Sequence, residues 1–82
     1  MTSTPLRMPR EIEVQQESGE PSIVIRNSVR KKIAAIRNVW RIDDEWWREQ
    51  ISRLYFHVEL LDGPVMYIFE DLTSGKWYQQ RY

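Results

Sequence analysis

The sequence predicts a mostly β (α+β) fold: a small antiparallel sheet or partly open barrel of five to six strands, with one short helical turn around residues 43–49. Short stretches in which polar and apolar residues alternate predict the strands. Glycine, proline and serine between these stretches predict turns. Four Trp, four Tyr and two Phe in 82 residues, with no cysteine, indicate that aromatic side chains rather than disulfides stabilise the core.

A single β-rich domain is expected over residues 11–82, preceded by a flexible arm at residues 1–10. A length of 82 residues leaves no room for a second independent core. The arm contains Pro5 and Pro9 and shows no regular spacing of apolar residues, which favours an extended or mobile segment.

The first predicted element is a β-hairpin over residues 11–27. Ile12 and Val14 alternate with polar residues and predict a strand. Residues 18–21 (SGEP) are typical of a turn. The β-branched residues that follow at 23–25 (IVI) predict the returning strand.

Residues 29–40 permit two interpretations. Four apolar residues in this segment have the i, i+4, i+7, i+11 spacing of an amphipathic helix, with the cations facing outward. They are Val29, Ile33, Ile36 and Trp40. However, Ser28 is the only candidate N-cap and no glycine follows the segment. A short strand over residues 31–37 fits the same residues, so both interpretations remain open at this point.

The acidic segment that follows is predicted to form the short helical turn. Asp43 or Asp44 can cap a helix, and acidic side chains are favourable at its positive N-terminal end. The turn carries Trp46 and Trp47. Both indoles are expected to pack in the core, or one of them to anchor a partner protein.

Three strands joined by short turns are expected at the C-terminus, as an antiparallel meander. They cover residues 52–61, 65–69 and 76–82, with glycine in each connecting turn. The predicted core draws on every element of the fold. Its members are Ile12, Val14, Ile23, Ile25, Ile33, Ile36, Trp40, Trp46, Leu54, Phe56, Val58, Tyr67, Phe69 and Trp77.

Charge is segregated along a chain whose 12 basic and 12 acidic residues cancel. Residues 1–21 carry a net charge of −2, residues 22–42 carry +6 with no acid, and residues 43–82 carry −4. Neutrality argues against binding of nucleic acid or an anionic membrane by bulk charge. A local basic face remains compatible with phosphate contacts. The residues predicted to make them are Arg26, Arg30, Lys32 and Arg37.

The sequence shows no catalytic constellation, and we expect a protein that is not an enzyme and binds no cofactor or metal. His57 is the single histidine, and without an acid–base partner it is expected to be a partly exposed structural residue. The acidic run at residues 43–45 lacks calcium-loop spacing, so helix capping is its expected use. A cytoplasmic protein without membrane contact is expected, because cysteine, a long apolar run and a signal-peptide pattern are all missing.

Residues 40–48 (WRIDDEWWR) carry a family resemblance. Together with residues 52–56 (SRLYF), they resemble a signature in the C-terminal region of the inactive Y-family DNA polymerase-like protein of the bacterial damage-induced mutagenesis cassette. Residues 5–14 (PLRMPREIEV), 65–69 and 76–78 (KWY) are similar to other parts of that region, so the resemblance covers nearly the whole chain. The chain also resembles a family of small uncharacterised bacterial domains with the same pattern.

The resemblance implies a non-catalytic interaction module that is an accessory to bacterial DNA-damage tolerance or translesion synthesis. In the cassette protein, the corresponding region is associated with recruiting partners of the error-prone replication machinery. The resemblance also favours a strand over a helix for residues 31–37. We therefore expect a protein partner, with nucleic acid as the alternative and the oligomeric state left open. Trp and Arg dominate interface hot spots, and the residues predicted to contact a partner are Arg41, Trp47, Arg48 and Arg53.

Overall fold

The structure is a computed structural model that describes residues 9–46 and 49–80. These residues form a closed antiparallel barrel of six strands, in which each strand pairs with the next and the last pairs with the first. The predicted mostly β fold is thus confirmed, and no helix occurs in the described residues. The strands are β1 Arg10–Glu17, β2 Glu20–Arg26, β3 Val29–Trp46, β4 Glu49–Leu60, β5 Val65–Asp71 and β6 Lys76–Gln80.

Tight turns join the first three strands. Ser18 and Gly19 in the β1–β2 turn have φ angles of 54° and 82°, and Asn27 and Ser28 in the β2–β3 turn have φ angles of 53° and 66°. Two successive residues with positive φ are typical of type I′ turns, whose twist matches that of the flanking strands. The hairpin predicted over residues 11–27 is confirmed as β1 and β2.

Pairing between β1 and β6 closes the barrel. Ile12 lies opposite Trp77 in this pairing, and both side chains are buried. A barrel of fewer than about eight strands is narrow enough for side chains to fill its interior. Closure also removes the outer edges of β1 and β6, which would otherwise present unpaired backbone groups to solvent.

Inward-facing side chains from all six strands form the core. Val58 on β4 and Ile68 on β5 are each 0% exposed. Phe56 packs against Trp77 with ring centroids 5.6 Å apart. The buried cluster consists of Ile12, Val24, Phe56, Val58, Leu60, Ile68 and Trp77, and the partly buried residues packed against it are Val14, Ile33, Ile36, Leu54 and Met66.

On β2 the core residue is Val24, whereas the sequence predicted Ile23 and Ile25. Val24 is 3% exposed and lies opposite Val14 on β1. The two isoleucines point to the outer face and are half-buried. Three β-branched residues in succession show no alternation, so only the pairing with β1 decides which of them faces inward.

Residues 29–40 are strand, so the helical interpretation is wrong for this segment. β3 is 18 residues long and extends well beyond the short strand predicted over residues 31–37. Its register with β4 shifts twice between residues 33 and 38. Such irregularities interrupt the period-2 alternation of a strand, and the first one places Ile33 and Ile36 on the same inner face although they are three residues apart.

The short helical turn predicted over residues 43–49 is not present in the described part of that segment. Residues 43–46 belong to β3 and Glu49 begins β4. Asp43 lies opposite Ser52 in an antiparallel ladder, so it does not cap a helix. Pairing along the whole length of β4 outweighs the local capping preference of an acidic residue.

β3 and β4 extend beyond the barrel as a two-stranded ribbon. β2 pairs with β3 only as far as Lys32, and β5 pairs with β4 only from Arg53 onward. Among the described strands, residues 43–46 and 49–52 therefore pair only with each other. The C-terminal meander predicted from the sequence is confirmed as β4, β5 and β6.

Some predictions concern residues outside the described part of the chain. These are residues 1–8 of the predicted arm, the contacts of Trp47 and Arg48, and the core position of Trp46, whose side chain is not described. At the boundary of the arm, Arg10 is already the first residue of β1.

We expect Ile68→Ala to lower the free energy of unfolding by about 3 kcal/mol, because truncation of this fully buried side chain leaves a cavity. Val65→Ala is the matched control on the same strand: Val65 is 55% exposed, and its truncation should lower the free energy by less than about 1 kcal/mol. Urea denaturation measures both differences. Equal losses in the two variants would contradict the inward orientation of Ile68.

Candidate interaction surface

Two rows of aromatic side chains cover the outer face of β3, β4, β5 and β6. Antiparallel partners share one face of a sheet, and the register aligns one aromatic residue from each of these four strands in a single row. A histidine and a tyrosine form the neighbouring row. The first row is Trp40, Tyr55, Phe69 and Tyr78 and the second is His57 and Tyr67; together we name them the outer aromatic face.

Neighbouring rings of the outer aromatic face pack on one another. The centroids of Trp40 and Tyr55 are 5.4 Å apart with an interplanar angle of 6°, and those of His57 and Tyr67 are 4.3 Å apart at 6°. Trp40 also makes an edge contact with Tyr67 at 6.1 Å, which joins the two rows. Each such pair is worth about 0.5–1.5 kcal/mol beyond its buried area. The rings are therefore held in fixed orientations.

Burial is graded across the outer aromatic face. Phe69 is 1% exposed and Tyr55 is 8% exposed, although neither belongs to the hydrophobic cluster inside the barrel. The other four residues are half-buried. The sequence predicted Trp40, Tyr67 and Phe69 in the core. Phe69 is buried as predicted, but it packs in a second layer outside the barrel wall, where Trp40 and Tyr67 are only half-buried.

Arg53 lies over the buried centre of this layer. Its guanidinium carbon is 4.6 Å from the centroid of the Phe69 ring, and its Nη1 donates a hydrogen bond of 3.1 Å to the Tyr55 hydroxyl. The first contact is a cation–π interaction, which fixes the cation above the ring. Arg53, one of the residues predicted to contact a partner, is thus part of the candidate surface.

Arg41, another of those residues, lies on the opposite face of the β3–β4 pair. It shares a face with Leu54, whereas Arg53 shares a face with Ile42. Its Nε donates a hydrogen bond of 2.7 Å to the Asp43 carboxylate. Because Trp47 and Arg48 lie outside the described residues, Arg53 is the member of the predicted set that the structure places on the outer aromatic face.

The four residues predicted to contact nucleic acid do not share one face. Arg30 and Lys32 point outward, opposite the half-buried isoleucines of β2. Arg26 has the same orientation as the inward-facing Val24 and lies at the end of the barrel, where it donates a hydrogen bond of 2.5 Å to the side chain of Gln79. The register shifts separate Arg37 from these three residues.

Ion pairs offset much of the positive charge of residues 22–42. Three of the six basic side chains in this segment each lie beside a carboxylate, and Arg30 donates a hydrogen bond of 3.0 Å to the neutral side chain of Gln15. Such exposed pairs add little to stability, but each carboxylate reduces the local positive potential. The pairs are Lys31–Asp62 at 2.6 Å, Arg37–Glu59 at 2.5 Å and Arg41–Asp43 at 2.7 Å.

A cleft of about 350 Å³ opens at the barrel end beside Arg26. Leu60, Val65 and Met66 contribute apolar walls, and the ion pair of Lys31 and Asp62 also lines the cleft. Clefts that combine apolar walls with a few polar groups are typical of small-molecule sites.

Asp43 is the centre of a small polar cluster on the ribbon. It accepts hydrogen bonds from the Arg41 guanidinium and from the Ser52 hydroxyl, the latter at 2.7 Å. These two donors hold the pKa of the Asp43 carboxyl below its usual value of 3.8. Ser52 is buried, so the cluster is anchored at the base of the ribbon.

His57 is half-buried, as expected from the sequence, and it is stacked on Tyr67. Within the described ranges, no group of three or more His, Cys, Asp or Glu side chains could hold a metal ion.

The sequence did not predict the outer aromatic face as a unit. The available signal was the alternation of Tyr55 and His57 with apolar residues, but which aromatic residues on β5 lie beside them depends on strand register.

No protein-family model, curated protein or solved structure matches this chain. In the part of the chain that the structure describes, no helix is long and apolar enough to cross a membrane.

We expect Ser52→Ala to raise the pKa of Asp43, because one of the two donors that stabilise the charged carboxylate is removed. An NMR titration that follows the side-chain carboxyl carbons measures the change. Asp62 is the internal control, since the Lys31 ammonium lowers its pKa at the other end of β4 and Ser52 does not contact it. An unchanged Asp43 titration would contradict the hydrogen bond from Ser52.

The lowered pKa of Asp43 also determines in which direction the free energy of unfolding changes with pH. The pKa of Asp43 is lower in the folded state than the usual 3.8, so its contacts stabilise the fold above that pH. The stabilisation is lost as the pH falls through the folded-state pKa. Asp43→Asn should therefore flatten the dependence of the unfolding free energy on pH in this acidic range, as urea denaturation at a series of pH values would measure.

Proposed function

We propose that this protein is a non-catalytic interaction module that docks a protein partner on the outer aromatic face. One observation carries the proposal: a partly exposed aromatic layer lies outside a barrel that already has its own core. Packing of the interior does not account for this layer, because its two buried members are separate from the interior cluster.

The composition of the layer suits a protein interface. Tyr, Trp and Arg are the residue types most enriched in interface hot spots, and Trp40, Tyr67 and Arg53 provide all three. Ring stacking and the cation–π contact hold these side chains before any partner binds. Pre-organised side chains lose little conformational entropy on binding, so more of the contact energy appears as affinity.

The charges around the layer also favour a protein over a polyanion. Arg53, Asp71 and Lys76 lie opposite one another in the next row across β4, β5 and β6. Glu59 follows His57 on the same face of β4 and is paired with Arg37. Mixed signs of this kind suit a protein surface, whereas a nucleic-acid site is usually bordered by cations.

The sequence resemblance supports a partner from bacterial DNA-damage tolerance or translesion synthesis. Of the residues that carry that resemblance, 40–46 lie in the second half of β3 and 52–56 lie in the middle of β4. Trp40 and Tyr55, within these segments, stack on each other in the outer aromatic face. A protein of the error-prone replication machinery, in the cytoplasm, is therefore the partner class that we propose.

We expect Trp40→Ala and Tyr67→Ala each to weaken capture of such a partner by about tenfold or more, because central aromatic residues carry most interface energy. Purified replication and damage-tolerance proteins are tested against the immobilised chain. Leu61→Ala is the control, since Leu61 is 68% exposed but lies away from the layer. Unfolding curves of every variant separate lost binding from lost folding. Equal capture by wild type and both aromatic variants would refute the proposed surface.

Nucleic-acid binding is the second candidate function, favoured by one observation. Arg30 and Lys32 are exposed and point to the same side of β3, where they can contact successive phosphates.

If these residues bind nucleic acid, the double variant Arg30→Glu/Lys32→Glu should abolish the gel retardation of a single-stranded oligonucleotide at low salt, where phosphate contacts are strongest. Lys76→Glu is the matched charge control. A wild-type chain that shows no retardation at low salt would remove this candidate.

A further inference from the structure

β3 presents an unpaired backbone edge along its second half. β2 pairs with β3 only up to Lys32, and no other strand in the described residues pairs with β3 on the side away from β4. From residue 38 to residue 46 the strand runs in unbroken register with β4. We name residues 38–46 the free edge. A regular, unpaired edge is a template for the addition of another strand.

Hydrogen bonding at the free edge indicates which backbone groups are available. The N–H group of Val39 donates a hydrogen bond of 2.9 Å to its neighbour Asn38 Oδ1, so this N–H points away from β4. Backbone groups alternate in direction along a strand, and those of Arg41 and Asp43 therefore point the same way. No hydrogen bond to a turn or loop of the described chain involves them.

The side chains of the free edge are complementary to a second copy of the same edge. We propose that two copies of this chain pair through antiparallel β3 strands about a two-fold axis at Ile42. This arrangement places Arg41 of each copy opposite Asp43 of the other, and a two-fold interface makes each such contact twice. Opposite charges in directly paired positions stabilise an antiparallel ladder.

The register of the proposed dimer also gives the exposed backbone groups of β3 hydrogen-bond partners. Arg41 and Asp43 both direct their backbone groups to the free edge. Opposite each other across the axis, they therefore form a hydrogen-bonded pair that exchanges two N–H···O bonds. Ile42 then faces Ile42 of the second copy in the intervening pair, where side chains approach most closely. Ile42 is 41% exposed in the single chain, and pairing would cover part of this apolar surface.

The dimer would join two outer aromatic faces. Trp40 and Ile42 point to the same side of β3, so pairing at Ile42 makes one sheet with both aromatic layers on a common side. Two linked sites can bind a partner that carries two epitopes more tightly than one site alone. The contact area of two strands is small, and the expected dissociation constant is about 10–100 µM.

The experiment uses two variants that carry opposite charge changes. In a dimer of Arg41→Glu, positions 41 and 43 of the two copies bring four carboxylates together. In a dimer of Asp43→Lys, the same positions bring four cations together. Each variant alone should dimerise at least about tenfold more weakly than wild type. Mixed in equal amounts, the two should form a heterodimer, because every cross-axis pair is then oppositely charged. Sedimentation velocity up to about 1 mM, with native mass spectrometry to identify the heterodimer, measures the association.

The mixture distinguishes pairing from a general loss of folding, since recovery of dimer requires both variants to be folded. Arg30→Glu is the control on the same strand, at a position already paired with β2, and should dimerise as wild type does. A wild-type chain that remains monomeric up to about 1 mM would overturn the proposal. So would a dimer that both single variants form as well as wild type, or a mixture that forms no heterodimer.

Discussion

The register between β3 and β4 is the constraint on which the rest of the structure depends. It places Trp40 opposite Tyr55 on the outer face and Val39 opposite Phe56 on the inner face. A slip of one residue would exchange the two faces of β4, because side chains alternate along a strand. The face that β3 and β4 turn to the barrel core, and the place of Trp40 and Tyr55 in the outer aromatic face, follow from this alignment.

Two aromatic layers on either side of the barrel wall explain how 82 residues fold without a disulfide. Phe56 and Trp77 fill the interior, while Phe69, covered by Arg53 and flanked by Tyr55, anchors the exterior. The exterior layer both stabilises the wall and presents partly exposed rings. Stability and the proposed docking function therefore share side chains, and substitutions at the rim are better suited to separate them than substitutions at Phe69.

The reliable predictions were those in which local chemistry and long-range pairing agree. The hairpin of β1 and β2 and the C-terminal meander follow from alternation between turn residues. Residues 43–46 form strand instead of the predicted helical turn, because capping residues also occur in strands when a partner is available, as Ser52 is for Asp43. The core position on β2 was misassigned because Ile23, Val24 and Ile25 are all apolar.

The sequence by itself determined that the chain is mostly β, that aromatic residues stabilise it, and that its formal charges cancel. These properties depend on composition and on neighbours a few residues apart. Only the tertiary structure decided that Arg37 and Lys31 are paired with acids, that Tyr55 and Phe69 form a layer outside the core, and that β3 has a free edge. Each of these depends on contacts between residues far apart in the chain, which strand register brings together.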